Sequence, residues 1–100
     1  MDHLSTKAIL LDMTTDLSRV GNFTLQGKEK RVLQFADKIQ EAVNILEKRA
    51  IPKNIGFFVQ KVSELIAKLK QEETQAAKLL AEDAFTYGNI LSRRVSRLTS

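Results

Sequence analysis

The side chains most often used in catalysis are few in this chain. His3 is the only histidine, and Asp2 precedes it. A His–Asp pair can contribute to a metal site, but the other ligands must lie at a suitable spacing, and none does. A histidine can also activate a nucleophile when a third group orients it, yet nothing marks Ser5 or Thr6 for that role. The pattern therefore predicts an exposed histidine near the N-terminus.

One pair of carboxylates has a spacing that could hold a cation. Asp12 and Asp16 are four residues apart and would share a helix face. Bundles that bind two metal ions add Glu-x-x-His motifs from other helices, and this chain contains none. The chain also has no cysteine and no Gly-rich phosphate loop. These observations favour a solvated acidic face, with Arg19 nearby, and predict no enzyme, metal or cofactor.

Two groups of basic residues could contact phosphate. The first group opens the second predicted helix (α2, about residues 28–50), where the helix dipole disfavours positive charge. It consists of Lys28, Lys30 and Arg31 and is called the α2 basic group. The C-terminal arginines lie in a segment without acids and are Arg93, Arg94 and Arg97. The net charge is +4 and the pI about 9.6. Both groups suit an accessory nucleic-acid-binding protein, although a helix C-terminus alone also explains the arginines.

Four segments have apolar residues at every third or fourth position, which predicts amphipathic helices. The predicted helices span about residues 3–20, 28–50, 54–70 and 73–98. No segment alternates with a period of two, so strands are not expected. The apolar share of 43% and the charged share of 28% are typical of a globular protein. The sequence predicts an all-α, four-helix up-and-down bundle that forms a single domain over residues 1–100.

Glycine and proline residues suggest where helices end. Gly21 and Asn22 follow the first apolar face and suit a left-handed C-terminal cap, which would make residues 21–27 a loop. Pro52 cannot lie inside a helix, so the second helix should end near Ala50. The third would begin at Pro52 or with Asn54 as its cap.

The boundary near Gln71 is less distinct, because no helix breaker lies there. A continuous helix over 54–98 is one possibility. A turn is the other, since Glu73 would fall on the apolar face, where a buried carboxylate is costly. Lysines before the boundary and glutamates after it also suit a helix end followed by a helix start. We therefore predict a turn.

Several apolar residues lie outside the main apolar face of their helices. They are Leu33, Ile45, Phe57, Leu79, Phe85 and Ile90. They would either widen the core-facing surface or contact a partner. The second interpretation predicts a non-enzymatic interaction module that binds another protein or forms a homo-oligomer. Its contacts would be Phe57 and Phe85, supported by Leu33 and Ile45.

The run Arg-Ala-Ile-Pro-Lys-Asn-Ile at residues 49–55 resembles the hallmark of a family of small, uncharacterised archaeal helical proteins. That family reads R-T-V-P-K-N-I-R between two helices, followed by an acidic turn and an alanine-rich helix. Residues 71–74 and 76–81 stand in similar places, so the resemblance covers about residues 30–90. Gly56 replaces a basic residue of the family, and the family's last helix has no counterpart. The resemblance implies a four-helix up-and-down bundle with a turn near residue 72, and no activity.

The sequence also bears on location. No apolar run approaches the roughly 20 residues of a membrane span, so no contact with a membrane is expected. Residues 1–7 lack the basic start and apolar stretch of a signal peptide. Together with the absence of cysteine, this predicts a cytoplasmic protein.

Overall fold

Four α-helices make up nearly all of the described chain. The computed structural model describes residues 5–71 and 74–98, apart from the side chains of residues 74–79. The helices are α1 (Thr6–Leu25), α2 (Glu29–Glu47), α3 (Lys53–Gln71) and α4 (Thr74–Val95), and these ranges contain no strand. The predicted all-α class and number of helices are confirmed.

The helices form an up-and-down bundle. Each helix packs against its neighbours in the chain, and α4 closes the bundle by packing extensively against α1. Three hydrogen bonds show which helix termini share an end: Lys7 Nζ to the Leu98 carbonyl oxygen at 3.1 Å, Arg49 Nη1 to Thr6 Oγ1 at 3.2 Å, and Arg94 Nη1 to the Asn54 carbonyl oxygen at 2.8 Å. The starts of α1 and α3 therefore lie beside the ends of α2 and α4. The start of α2 lies at the opposite end.

The core consists of the apolar faces that the sequence period predicted. The largest fully buried side chains come from all four helices and are Ile9, Leu10, Met13, Leu17, Val20, Ile39, Val43, Leu46, Ile55, Val62, Ile66 and Leu91. Burial of aliphatic side chains is worth about 1.5–3 kcal/mol each relative to exposure, which is the main force that holds the bundle together.

The first helix is longer than predicted. It continues through Gly21 to Leu25, so the predicted cap at residues 21–22 and the loop over 21–27 are wrong. The C-cap is instead Gln26, and it is followed by Gly27, whose φ of 73° is left-handed. The Gly27 amide donates to the Thr24 carbonyl at 3.1 Å, and the Lys28 amide donates to the Phe23 carbonyl at 2.9 Å. These two bonds define a Schellman motif, which satisfies the last carbonyl groups of the helix.

Gly21 is a glycine for a packing reason. It lies inside α1 facing α4, and the Phe85 ring rests against it. A Cβ atom at position 21 would lie 2.7 Å from Phe85 Cζ, well inside van der Waals contact. A glycine interpreted from sequence as a helix end is therefore the point where two helices approach closely.

The connection between α2 and α3 also differs from the prediction. α2 ends at Glu47, three residues before Ala50, and the amides of Lys48 and Arg49 make i,i+3 bonds that close its last turn. α3 begins at Lys53, and the Pro52 carbonyl accepts hydrogen bonds from the amides of Ile55 and Gly56. Asn54 is thus inside the first turn of α3 and not its cap, whereas the predicted start at Pro52 is correct to within one residue.

The predicted turn between α3 and α4 is confirmed. α3 ends at Gln71 and α4 begins at Thr74, and the two helices pack against each other. Residues 72 and 73, including the acid at 73 that favoured the turn, lie outside the described residues. α4 ends at Val95 and not at residue 98, since the amides of Arg97 and Leu98 make i,i+3 bonds that tighten the last turn. The first predicted helix start, residue 3, lies outside the described residues, and Ser5 caps α1 instead.

Candidate interaction surface

Among the predicted contact residues, Phe57 is the most exposed. Its side chain is 57% accessible, against 46% for Leu33, which lies toward the other end of the bundle on α2. Ile45 is half-buried and packs against the core. Phe85 is half-buried, and its ring lies against Gly21. The side chain of Leu79 lies outside the described residues, and Ile90 is half-buried.

Phe57 begins a continuous row of aromatic rings across α3 and α4. The Phe57 and Phe58 rings meet edge to face, with centroids 5.2 Å apart. Phe58 then meets Tyr87 of α4 at 6.1 Å. Phe57 points outward because it lies on the opposite side of α3 from Ile55, Val59 and Val62. The exposed Phe57 ring is thus held in place by half-buried neighbours. It would therefore lose little conformational entropy on binding a partner.

Cations flank this aromatic row. Lys61 Nζ is 5.4 Å from the Phe57 ring centroid, and Arg94 Cζ is 4.7 Å from the Phe58 centroid. Lys61 also pairs with Glu64 on the same helix at 3.8 Å. We call Phe57, Phe58, Lys61, Tyr87 and Arg94 the Phe57 surface. It combines an exposed apolar ring with charged groups of both signs nearby.

The two basic groups predicted from sequence lie at opposite ends of the bundle. The α2 basic group stands where α2 begins, whereas the C-terminal arginines stand where α4 ends. Arg94 is the most engaged of them, since it stacks on Phe58 and donates to the Asn54 carbonyl. Arg93, Arg97, Lys30 and Arg31 are exposed. The six residues therefore do not form one compact patch.

A second aromatic cluster escaped the sequence analysis. Phe23 of α1 and Phe35 of α2 stack at 5.7 Å between centroids, with their planes 20° apart. Arg19 and Lys38 lie over the Phe35 ring, and Lys28 lies over the Phe23 ring. The sequence predicted Phe23 to lie in a loop, so it was not expected on the face of α1 that packs against Phe35 of α2. Lys28 therefore has a favourable contact with an aromatic ring, although it precedes a helix start that disfavours positive charge.

The predicted carboxylate pair lines a polar groove of about 370 Å³ between α1 and α2. Asp12 and Asp16 face Arg19, Lys38 and Glu41 there, and Arg19 bonds Asp16 at 3.2 Å. Burial raises the pKa of the Asp16 carboxyl above its ordinary value of 3.8, while the charges of Arg19 and Lys38 oppose that shift. In the described ranges, no three histidine or acidic side chains are grouped so that they could hold a metal ion. His3 lies outside those ranges.

The bundle contains no helix suited to crossing a membrane within the part of the chain described. The sequence matches no protein-family model, and neither a curated protein nor a solved structure is significantly similar to the chain. The resemblance of residues 49–55 to an archaeal family stays a prediction.

Proposed function

We propose that the chain is a non-enzymatic, cytoplasmic interaction module that self-associates through the Phe57 surface. The observation that carries this proposal is the exposure of Phe57, the highest among the large apolar side chains of the described residues. Exposure of a large apolar ring to water is unfavourable, and a partner that covers the ring would remove that cost.

The size of that free energy supports a weak but measurable contact. A phenylalanine side chain buries about 150–250 Å² in a fully covered site. Covering the exposed half of Phe57 would remove roughly 100 Å² of apolar surface from water, which is worth about 2–3 kcal/mol per protomer. In a two-fold dimer the same residue contributes twice, because both protomers use the same surface.

The charges beside Phe57 favour a second copy of the chain. Lys61 and Glu64 lie one turn apart on the same side of α3. Two copies related by a two-fold axis can place the lysine of one protomer near the glutamate of the other. Such reciprocal pairing orients the contact, although exposed ion pairs add only about 0–1 kcal/mol each.

No catalysis is part of this proposal. The carboxylates of the α1–α2 groove face Arg19 and Lys38, and the Asp16 carboxylate bonds Arg19 directly. The charges of Arg19 and Lys38 oppose the rise in the Asp16 pKa that burial causes, and the Thr15 hydroxyl, which also lines the groove, donates to the Leu11 carbonyl at 3.2 Å. The groove residues are explained as a polar seam between two helices.

Sedimentation equilibrium over a range of micromolar concentrations tests the proposal. The wild type should approach twice the monomer mass of 11.3 kDa as concentration rises. Phe57→Ser should weaken self-association by about tenfold or more, since it removes the ring from the interface. Leu25→Ser is the matched control, because Leu25 is 52% exposed but lies where α1 ends, far from Phe57.

Leu33→Ser distinguishes the two exposed residues of the predicted contact set. Leu33 lies near the start of α2, so its loss should leave the association constant unchanged if Phe57 is the contact. A wild-type chain that stays monomeric at every concentration would contradict the proposal. Equal weakening by the serine variants at positions 25 and 57 would contradict it as well.

A further inference from the structure

One end of the bundle concentrates positive charge from all four helices. Within the described ranges it carries seven cations and one acid, Glu47, and the cations are Lys7, Lys48, Arg49, Lys53, Arg93, Arg94 and Arg97. We call these seven residues the basic end. Only three of them belong to the basic groups that the sequence singled out, because the other four come close to those arginines only through the antiparallel packing of the helices.

Helix electrostatics explain only part of this concentration. Cations at the ends of α2 and α4 are favoured by the helix dipole. Lys7 and Lys53 lie instead in the first turns of α1 and α3, where the dipole favours acids. Neither first turn contains an acid. These two lysines therefore add positive charge at positions where the helix dipole does not favour it.

Three ion pairs among the described residues lie away from the basic end. The pairs Arg19–Asp16, Lys61–Glu64 and Lys70–Asp37 lie along the sides of the helices. At the basic end, Lys7 and Arg94 donate to backbone carbonyl groups, which are neutral. Glu47 is the only acid that the described residues place at this end, so positive charge is in excess there, and a bound polyanion would be attracted to it.

The Phe57 ring adjoins the basic end and adds a second kind of contact. Lys53, Phe57 and Lys61 are spaced by four residues, so they follow one side of α3 with a rise of about 6 Å per step. Phe57 is exposed between the two lysines, and Lys61 Nζ is 5.4 Å from its ring centroid. In this arrangement a base can stack on the ring while the two lysines neutralise the phosphates on either side of that base.

We propose that the basic end and Phe57 bind single-stranded nucleic acid. The cations neutralise phosphates, and the Phe57 ring stacks on an unpaired base, which a duplex does not offer. An anionic membrane fits less well, because the two most exposed apolar side chains after Phe57, Leu25 and Leu33, lie toward the opposite end, and Leu11 nearer the basic end is only 38% exposed. This proposal does not require self-association. A base and a second protomer would compete for Phe57, so saturating nucleic acid should favour the monomer.

Fluorescence anisotropy with a labelled oligothymidylate tests the proposal. Neutralisation of about five phosphates, at a slope of about −0.7 each, predicts roughly a hundredfold loss of affinity between about 50 and 200 mM salt. Arg93→Gln combined with Arg97→Gln should lower the slope by about 1.4 and weaken binding severalfold to tenfold. Both side chains are exposed, so the fold should be retained.

A matched control uses the other basic group. Lys30→Gln combined with Arg31→Gln removes the same charge from exposed positions at the opposite end and should change the affinity less than twofold. Phe57→Leu should weaken binding about tenfold without changing the salt slope, because it removes stacking and keeps the cations. Circular dichroism confirms that each variant remains helical.

Three results would overturn the proposal. The first is no binding at about 50 mM salt, where electrostatic attraction is strong. The second is an equal loss of affinity in the two double-glutamine variants, which would indicate net charge and not the basic end. The third is equal or tighter binding to a duplex of the same length or to vesicles that contain phosphatidylserine. A monomeric wild type that still binds oligothymidylate would refute the proposed self-association alone.

Discussion

Replacing Gly21 with alanine should destabilise the bundle, although alanine is the better helix former. In an open helix position the change would gain about 1 kcal/mol. Here the new Cβ atom would lie 2.7 Å from Phe85 Cζ, so the ring must move by about 1 Å to reach ordinary contact. Overpacking of this kind costs about 1–3 kcal/mol. We expect a net loss of about 1 kcal/mol in the free energy of unfolding.

Gly88→Ala is the matched control, because Gly88 also lies in the contact between α1 and α4. Its added Cβ would lie 3.6 Å from Leu17 Cβ, an ordinary contact distance. This variant should gain up to about 1 kcal/mol. Urea denaturation followed by circular dichroism measures both values, and a 1 kcal/mol change shifts Tm by about 4–8 °C in a domain of this size.

A double-mutant cycle links the effect to the ring. In a Phe85→Ala background, Gly21→Ala should become stabilising, with a coupling energy of about 1–2 kcal/mol. The reasoning would be refuted if Gly21→Ala stabilised the wild type as much as Gly88→Ala does. That result would mean that Phe85 does not rest on α1 and is free to contact a partner, as the sequence had suggested.

Three other changes test local features. Ser5→Ala should cost about 1 kcal/mol in thermal or urea unfolding, because the Ser5 hydroxyl accepts the Ala8 amide hydrogen at 3.1 Å; an unchanged stability would exclude that cap. Gly27→Ala should cost about 1–2 kcal/mol because φ is 73° there, while Gly27→Asn should cost less. Asp16→Asn should stabilise the protein at neutral pH: burial raises the folded pKa, so ionisation favours the unfolded chain as pH rises above 3.8. The gain should vanish when urea unfolding is measured well below pH 3.8, and a variant less stable than wild type at pH 7 would contradict the assignment.

The period of the apolar residues predicted the four helices and most of the core, because burial of one face per helix dominates folding. Helix ends were harder to predict. Gly21 and Gly27 are identical in the sequence, and only the neighbouring helix shows that the first is a packing contact while the second completes a helix cap. Pro52 requires α2 to end before it, because inside a helix its ring would clash with the Lys48 carbonyl; the end at Glu47 itself was not evident from the sequence.

Some residues of the candidate surfaces could be predicted from the sequence, and others could not. Phe57 lies opposite the apolar face of its own helix, so its exposure follows from the helical period alone. Phe85 leaves the apolar face of α4 in a similar way, yet it meets α1, because a helix in a bundle has two neighbours. The basic end joins Lys7 to residues more than 40 positions away, and no spacing within one helix could reveal that. Long-range proximity depends on topology, and the order of charges along the chain does not contain it.

The most direct test of this account is a pair of distances measured between spin labels. The chain has no cysteine, so labels can be placed cleanly at exposed positions. Ser96→Cys with Lys53→Cys spans two termini at the basic end and should give a distance below about 20 Å, since packed helix axes are about 8–10 Å apart. Ser96→Cys with Lys30→Cys spans the length of the bundle and should give about 30 Å. Equal distances, or a shorter second distance, would contradict the antiparallel arrangement that brings the seven cations together.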